Sequence, residues 1–126
     1  MALDGEKEVN WWLNQPYNPE WYGEDYFTKK PYSPYQDYGR HDVDFDKFMA
    51  IMNPKSVLDV GCAYGYIVKR CLDRGIHAIG VDVSKWCEEQ ADKIIPQHFI
   101  CTPAWDLHHF GDKEFDVLYC QGVLEH

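Results

Sequence analysis

The chain has 126 residues, 45% hydrophobic and 16% aromatic, which suits one folded domain and excludes a disordered chain. Asp and Glu number 21 against 12 Lys and Arg, a formal net charge of −9. That excess argues against duplex nucleic acid as a partner, which calls for clustered Lys and Arg, and against docking on an anionic membrane.

Residues Met1 to Asn10 carry Asp4, Glu6, Lys7 and Glu8 and lack an apolar core, so no signal peptide is read there. No apolar run reaches the roughly 20 residues of a membrane span. The cysteines, Cys62, Cys71, Cys87, Cys101 and Cys120, are odd in number and never spaced C-x-x-C. Neither a disulfide framework nor a zinc ribbon follows, and reduced thiols in a cytoplasmic protein are expected.

Residues 1–41 are dense in aromatics and prolines, among them Trp11, Trp12, Pro16, Trp21, Tyr22, Phe27, Pro31, Pro34, Tyr35 and Tyr38. Proline at this spacing forbids long helices, so the segment reads as an irregular arm that packs on the following domain or covers a cleft. From Asp42 the texture turns regular. Asp42 or Asp44 can cap a helix. Phe45, Phe48, Met49 and Met52 share one face, and Asn53-Pro54 ends the run. Ser56 to Val60 reads as a buried strand, Tyr66 to Asp73 as a helix closed by Gly75, and His77 to Val81 as a second strand. Ser84 can cap a helix to about Lys93, and Pro96 breaks it. His98 to Cys101 and Glu114 to Cys120 read as third and fourth strands. Alternation of this kind predicts βαβ units and a parallel sheet over residues 42–126.

The chemistry lies in Val57-Leu58-Asp59-Val60-Gly61-Cys62-Ala63-Tyr64-Gly65, followed by Gly80-Val81-Asp82-Val83-Ser84. A strand ends in a glycine turn and enters a helix, whose N-terminus offers free N–H groups. Asp82, at the tip of the next strand, suits a ribose diol, because a carboxylate can accept both hydroxyl hydrogens. A nucleoside cofactor follows. The dinucleotide pattern G-x-G-x-x-G is not met: the last glycine comes four residues after the first, and position 63 is Ala. Asp59, two residues before Gly61, suits an ammonium or a sulfonium better than a pyrophosphate, which fits S-adenosylmethionine and fits NAD poorly.

From about Lys55 to His126 the sequence resembles the class I S-adenosylmethionine-dependent methyltransferases, especially those that methylate small molecules and sugars. V-L-D-V-G-C-A-Y-G, G-V-D-V-S and F-D-V-L-Y-C-Q-G-V-L-E-H carry the resemblance. It implies a Rossmann-like α/β fold with strand order 3-2-1-4. It also implies that Asp59, Gly61, Cys62, Ala63, Tyr64 and Gly65 line the methionine end, and that Asp82 binds the ribose hydroxyls. Val83 and the loop with Ala104, Trp105 and Asp106 would flank adenine, and Gln121 and Gly122 would face the methyl donor. Pro103 stands where members often place an adenine-binding Asp, so Asp106 or the Ala104–Trp105 backbone takes that part. His126, in Leu124-Glu125-His126, is the expected base, although this triplet also resembles the start of a vector-encoded tag. No metal is expected; His108 and His109 read as solvated loop residues.

The implied function is methyl transfer from S-adenosylmethionine, leaving S-adenosylhomocysteine, to an oxygen or nitrogen of a small molecule, a sugar among the options. Adenine-base methylation is disfavoured because the N/D-P-P-Y signature is absent. Two rivals are a binding module or split half without methyl transfer and an activity that degrades the cofactor. The family's sheet normally continues beyond a fourth strand, so this chain is expected to be truncated. The arm, a second copy (a homo-oligomer) or a missing C-terminal half would then cover the fourth strand.

Overall fold

A computed structural model describes residues 19–29, 34–111 and 114–121. Two short helical pieces come first, a 3-10 turn at Pro19–Tyr22 and α1 at Glu24–Thr28, followed by α2 at Gly39–Met52. Then come β1 (Ser56–Val60), α3 (Tyr66–Asp73), β2 (His77–Asp82), α4 (Lys85–Ile94), β3 (Phe99–Cys101) and β4 (Val117–Tyr119). The four strands are parallel, in the order β3-β2-β1-β4. This is the expected Rossmann-like α/β arrangement.

Strand alternation divides the core between the two faces of the sheet. Val57 joins Phe45, Phe48, Val68, Cys71, Ala78 and Ile95 on the helical face. Leu58, Val60 and Val81 turn to the opposite face, where no described helix lies. There the connection from β3 to β4 folds back, and Ala104, Leu107, Phe110 and Phe115 cover the strands. Phe115 stacks on His77 at an interplanar angle of 4°.

The start of β4 is held by Asp116. Its carboxylate accepts the backbone N–H groups of Lys55 and Ser56 at 3.0 and 2.9 Å, and its own N–H donates to Ser56 Oγ at 2.8 Å. Those bonds keep the carboxyl below the usual Asp range, with the Lys55 N–H first among the causes. They set the register in which Asp59 faces Tyr119.

Several boundaries differ from expectation for local reasons. Helix α2 starts at Gly39, not at Asp42 or Asp44. His41 Nδ1 accepts the Tyr38 N–H at 3.1 Å, so an imidazole does the capping that a carboxylate was expected to do. Phe45 and Phe48 are buried as the periodicity predicts, while Met52, in the last turn, is exposed. Strand β4 is shorter than Glu114 to Cys120, because Asp116 is engaged in the clamp rather than in the ladder.

The described part of the arm does not cover β4. Phe27 packs with Tyr64 and Cys87, joined by Tyr22, Tyr26, Tyr35 and Tyr66, over the turn after β1. Leu118 on β4 stays exposed. Among the described residues no helix is long and apolar enough to cross a membrane, and no group of His, Cys, Asp and Glu could hold a metal ion.

Gly65 precedes α3 with φ of +90°, and a Cβ there would sit 2.3 Å from Ile95 Cδ1 and 2.8 Å from its Cγ1. Ile95 is fully buried and cannot swing away. Gly75 has φ of +76°, and a Cβ added to it would meet open space, so it isolates the backbone cost. We expect Gly65→Ala to lower stability by about 2–4 kcal/mol and Gly75→Ala by about 1 kcal/mol, read from urea midpoints.

Candidate functional site

The C-terminal ends of β1, β2 and β3 are drawn level by backbone bonds between their exits. The Gly61 and Cys62 N–H groups both donate to the Val81 carbonyl, at 2.8 and 3.0 Å. The Thr102 N–H donates to the Asp82 carbonyl at 2.9 Å. Three turns therefore emerge together at one edge of the sheet, with β1 and β4 adjacent. In open parallel sheets this is where ligands bind.

Asp82 organises that edge. One carboxylate oxygen accepts the Ala63 N–H at 2.9 Å and the other the Ser84 N–H at 3.0 Å. Burial raises the Asp82 pKa, and backbone N–H groups, that of Ser84 first, oppose the rise. A carboxylate offers about four acceptor positions, so capacity remains for a hydroxyl donor. Ala63 sits at φ of +51°, the left-handed region that favours glycine, and its N–H is the one Asp82 holds.

Asp59 is buried to 4% exposure, and the two causes that shift its carboxyl are burial and a neighbouring charge. Burial first, then the neighbouring Asp82 charge, push its pKa up to about 8. A buried carboxylate is costly to ionise. A cation placed there would relieve that cost.

The other expected residues fall around these two acids. Gly61 adopts φ of +76° in the turn. Cys62 is buried, and its thiol is pushed up by burial and then by Asp59. Tyr64 is buried, and its hydroxyl accepts the Trp86 indole N–H at 2.9 Å. Val83 lies at the β2 exit, its carbonyl facing the Cys101 thiol at 3.5 Å. In the third loop Ala104 packs inward, whereas Trp105 is 70% exposed. The Asp106 side chain pairs with His108, which holds its carboxyl below the usual range. Gln121 is turned to α2, its amide donating to Asp44 Oδ2 at 2.8 Å while its oxygen accepts the Tyr119 hydroxyl at 3.0 Å. Gly122 and His126 lie outside the described residues.

Ser84, Tyr35 and Tyr119 were not expected at the site. Ser84 Oγ caps α4 by accepting the Cys87 N–H at 3.1 Å and also donates to the Tyr22 carbonyl of the arm. Arg70 of α3 reaches Asp37 at 2.7 Å and Asp42 at 3.0 Å, fastening the chain before and within α2. Tyr119 was legible in principle as the strand partner of Asp59; the arm contacts carry no pattern in the sequence.

The profile of a family described as methyltransferase domain matches residues 58–126. The chain belongs to the methyltransferase domain family. It is similar to the ubiquinone biosynthesis O-methyltransferase of Chromobacterium violaceum, at 30% identity over 89 residues, covering 67% of this chain and 38% of that protein. It is also similar to the tRNA U34 carboxymethyltransferase of Helicobacter pylori, at 33% identity over 94 residues, covering 66% of this chain and 35% of that protein. The chain thus spans little more than a third of the length of these curated relatives. Among solved structures, the plantazolicin methyltransferase BamL, in complex with a triazolic desmethylPZN analog and SAH, aligns at a TM-score of 0.47 and 21% identity, over 75% of this chain and 42% of that one.

The burial of Asp59 has a consequence for the protein by itself. Its native pKa of about 8 lies above the ordinary value of 3.8. Its contribution to stability is therefore full below pH 4 and is lost as pH rises through 8. We expect Asp59→Asn to raise thermal stability relative to the parent at pH 8–9, by up to about 5 kcal/mol, and to change it little at pH 4. Paired melting curves at the two pH values check this.

Proposed function

We propose that the edge formed by the β1, β2 and β3 exits binds S-adenosylmethionine and that the protein transfers its methyl group to an oxygen or nitrogen acceptor. The observation that carries this reading is the pair of acids at the adjacent strand exits. Asp82 keeps acceptor capacity for ribose hydroxyls, and Asp59 is a buried carboxylate matched to an ammonium. Family membership supports the same reading.

When bound, this cofactor supplies an activated methyl group on a sulfonium. The chain's own residues bind and orient. Gly61, Ala63 and Gly65 hold the turn in left-handed conformations that keep side-chain bulk away from the ligand. Val83, Ala104 and Trp105 supply apolar surface for adenine. Asp106 is engaged by His108, so backbone groups at Ala104 and Trp105 are better placed to meet the adenine edge. Positioning and exclusion of water are the main contributions such a site makes to transfer from an already activated donor. Gly122 and His126, proposed for the donor side and as a base, lie outside the described residues.

The acceptor we favour is a small neutral or cationic molecule, a sugar among the options, because the net charge is −9. The tRNA carboxymethyltransferase relative makes RNA the alternative to include in the same assay. All five cysteines are free, which supports a reducing compartment such as the cytoplasm.

Calorimetric titration with S-adenosylmethionine tests the cofactor. Binding should weaken by at least 10-fold in Asp82→Ala, which loses charge-assisted bonds of about 1.5–3 kcal/mol each. Affinity should also fall as pH drops below 8, because protonated Asp59 no longer attracts an ammonium, and Asp59→Asn should flatten that dependence. An absence of binding, or unchanged affinity in Asp82→Ala, would sink the proposal.

A further inference from the structure

The buried ring of His41 closes the start of α2, and its Nδ1 atom stands within hydrogen-bond reach of two groups at once. The Tyr38 backbone N–H lies 3.1 Å away and Asp37 Oδ1 lies 3.2 Å away. One of these is a donor and the other an acceptor, so a single ring nitrogen serves only one of them in a given protonation state. A bare Nδ1 accepts the Tyr38 N–H and turns its lone pair toward the carboxylate. A protonated Nδ1 donates to Asp37 and sets N–H against N–H at Tyr38. The neutral ring that caps α2 is therefore the tautomer with its hydrogen on Nε2.

Asp37 Oδ1 is also the oxygen that Arg70 Nη2 holds at 2.7 Å, so a proton on His41 would set a second cation on the same atom. Arg70 in turn binds Asp42 and the Tyr66 carbonyl. Three phenol rings surround the imidazole: Tyr35 at 6.3 Å and Tyr38 at 5.6 Å from the segment before α2, and Tyr66 at 5.8 Å from α3. Among the described residues, these tyrosines with Asp37, Asp42 and Arg70 are the titratable and charged groups around it. The start of a helix disfavours a cation, whereas the Asp37 carboxylate favours one. Histidine is the side chain whose charge change ordinarily falls within about pH 5 to 8.

We propose that His41 is a proton-operated latch between the aromatic arm and α2. The neutral ring holds the Tyr38 N–H and keeps the arm joined to the helix start. The protonated ring, which takes its proton at Nδ1 from solvent, releases that N–H and pairs with Asp37, joining the knot that Arg70 makes with α3. Acid thus loosens the chain at Tyr38 and fastens it at Asp37. The element biased by this exchange is the segment from Tyr35 to Tyr38, whose Tyr35 ring packs edge-on to Tyr64 at 4.8 Å and stacks on Tyr66 at 5.9 Å, on either side of Gly65. The inference is independent of the cofactor reading.

Nuclear magnetic resonance on the full chain, between about pH 5 and about pH 8, tests the latch. At the alkaline end the His41 nitrogens should show a hydrogen on Nε2 and a bare Nδ1. On acidification the ring nitrogens, the Tyr38 amide proton and the Asp37 carboxyl carbon should move together, with one midpoint. Hydrogen-exchange protection of the Tyr38 amide, corrected for the intrinsic effect of pH on exchange, should fall about fivefold across the range, the loss of one hydrogen bond. His41→Asn supplies a side-chain oxygen that accepts the same N–H and does not titrate, so its Tyr38 amide should keep its shift and its protection throughout. A hydrogen on Nδ1 at the alkaline end, or a ring that does not titrate in the range, would overturn the proposal. So would a ring that titrates while the Tyr38 amide stays still, or a Tyr38 response that persists in His41→Asn. Should His41→Asn fail to fold, the coincidence or divergence of the three midpoints in the parent decides. No cofactor enters these measurements, so their failure leaves the proposed function untouched.

Discussion

The two hydrogen bonds that Asp82 accepts from Ala63 and Ser84 are the constraint on which the site depends. Ala63 belongs to the turn between β1 and α3, and Ser84 opens α4. One carboxylate thus fixes two helix entries against each other, and each bond is of the stronger, charge-assisted kind. The left-handed backbone at Ala63 is tolerated because its N–H is captured. Without that anchor the turn would be free to relax, and the strand exits would lose the common edge that the Val81 and Asp82 carbonyls define.

Asp59 is the opposite case. Its position on β1 would suit an apolar residue, since Val57, Leu58 and Val60 are all buried around it. A carboxylate there, with a raised pKa, lowers the stability of the ligand-free protein at neutral pH and above. Residues that break the local rule of a buried strand and gain nothing in the fold are where function is expected. Asp116 makes the contrast: another strand-end acid, but exposed and satisfied by Lys55 and Ser56, and it serves register alone.

Much of this was legible in the sequence because it is local. The glycine turn, the Ser84 cap and the parallel pairing follow from neighbours along the chain, while the strand order came with the resemblance to the methyltransferases. What escaped was non-local or chemically unusual. An imidazole caps α2 through Nδ1, a use of histidine that capping preferences do not favour. Asp106 was one of two options for the adenine edge, beside the Ala104–Trp105 backbone, and a histidine two residues on pairs with its carboxylate. Gln121 was expected on the donor side, but Asp44, 77 positions earlier, takes its amide. The arm was one of three candidates to cover β4, with a second copy or a missing C-terminal half; its described residues cluster on Tyr64 and Cys87.

That placement makes the arm and the site one mechanical unit. Ser84 caps α4 and bonds the Tyr22 carbonyl, so the same hydroxyl serves both. Arg70 holds Asp37 and Asp42 while also donating to the Tyr66 carbonyl in the first turn of α3, so displacement of the α2 entry would pull on the helix that follows the glycine turn. Tyr35 lies between these two fastenings. The described aromatic residues are thus fastened over the strand exits at Tyr22 and at Asp37, by side chains whose other hydrogen bonds build the turns beneath them.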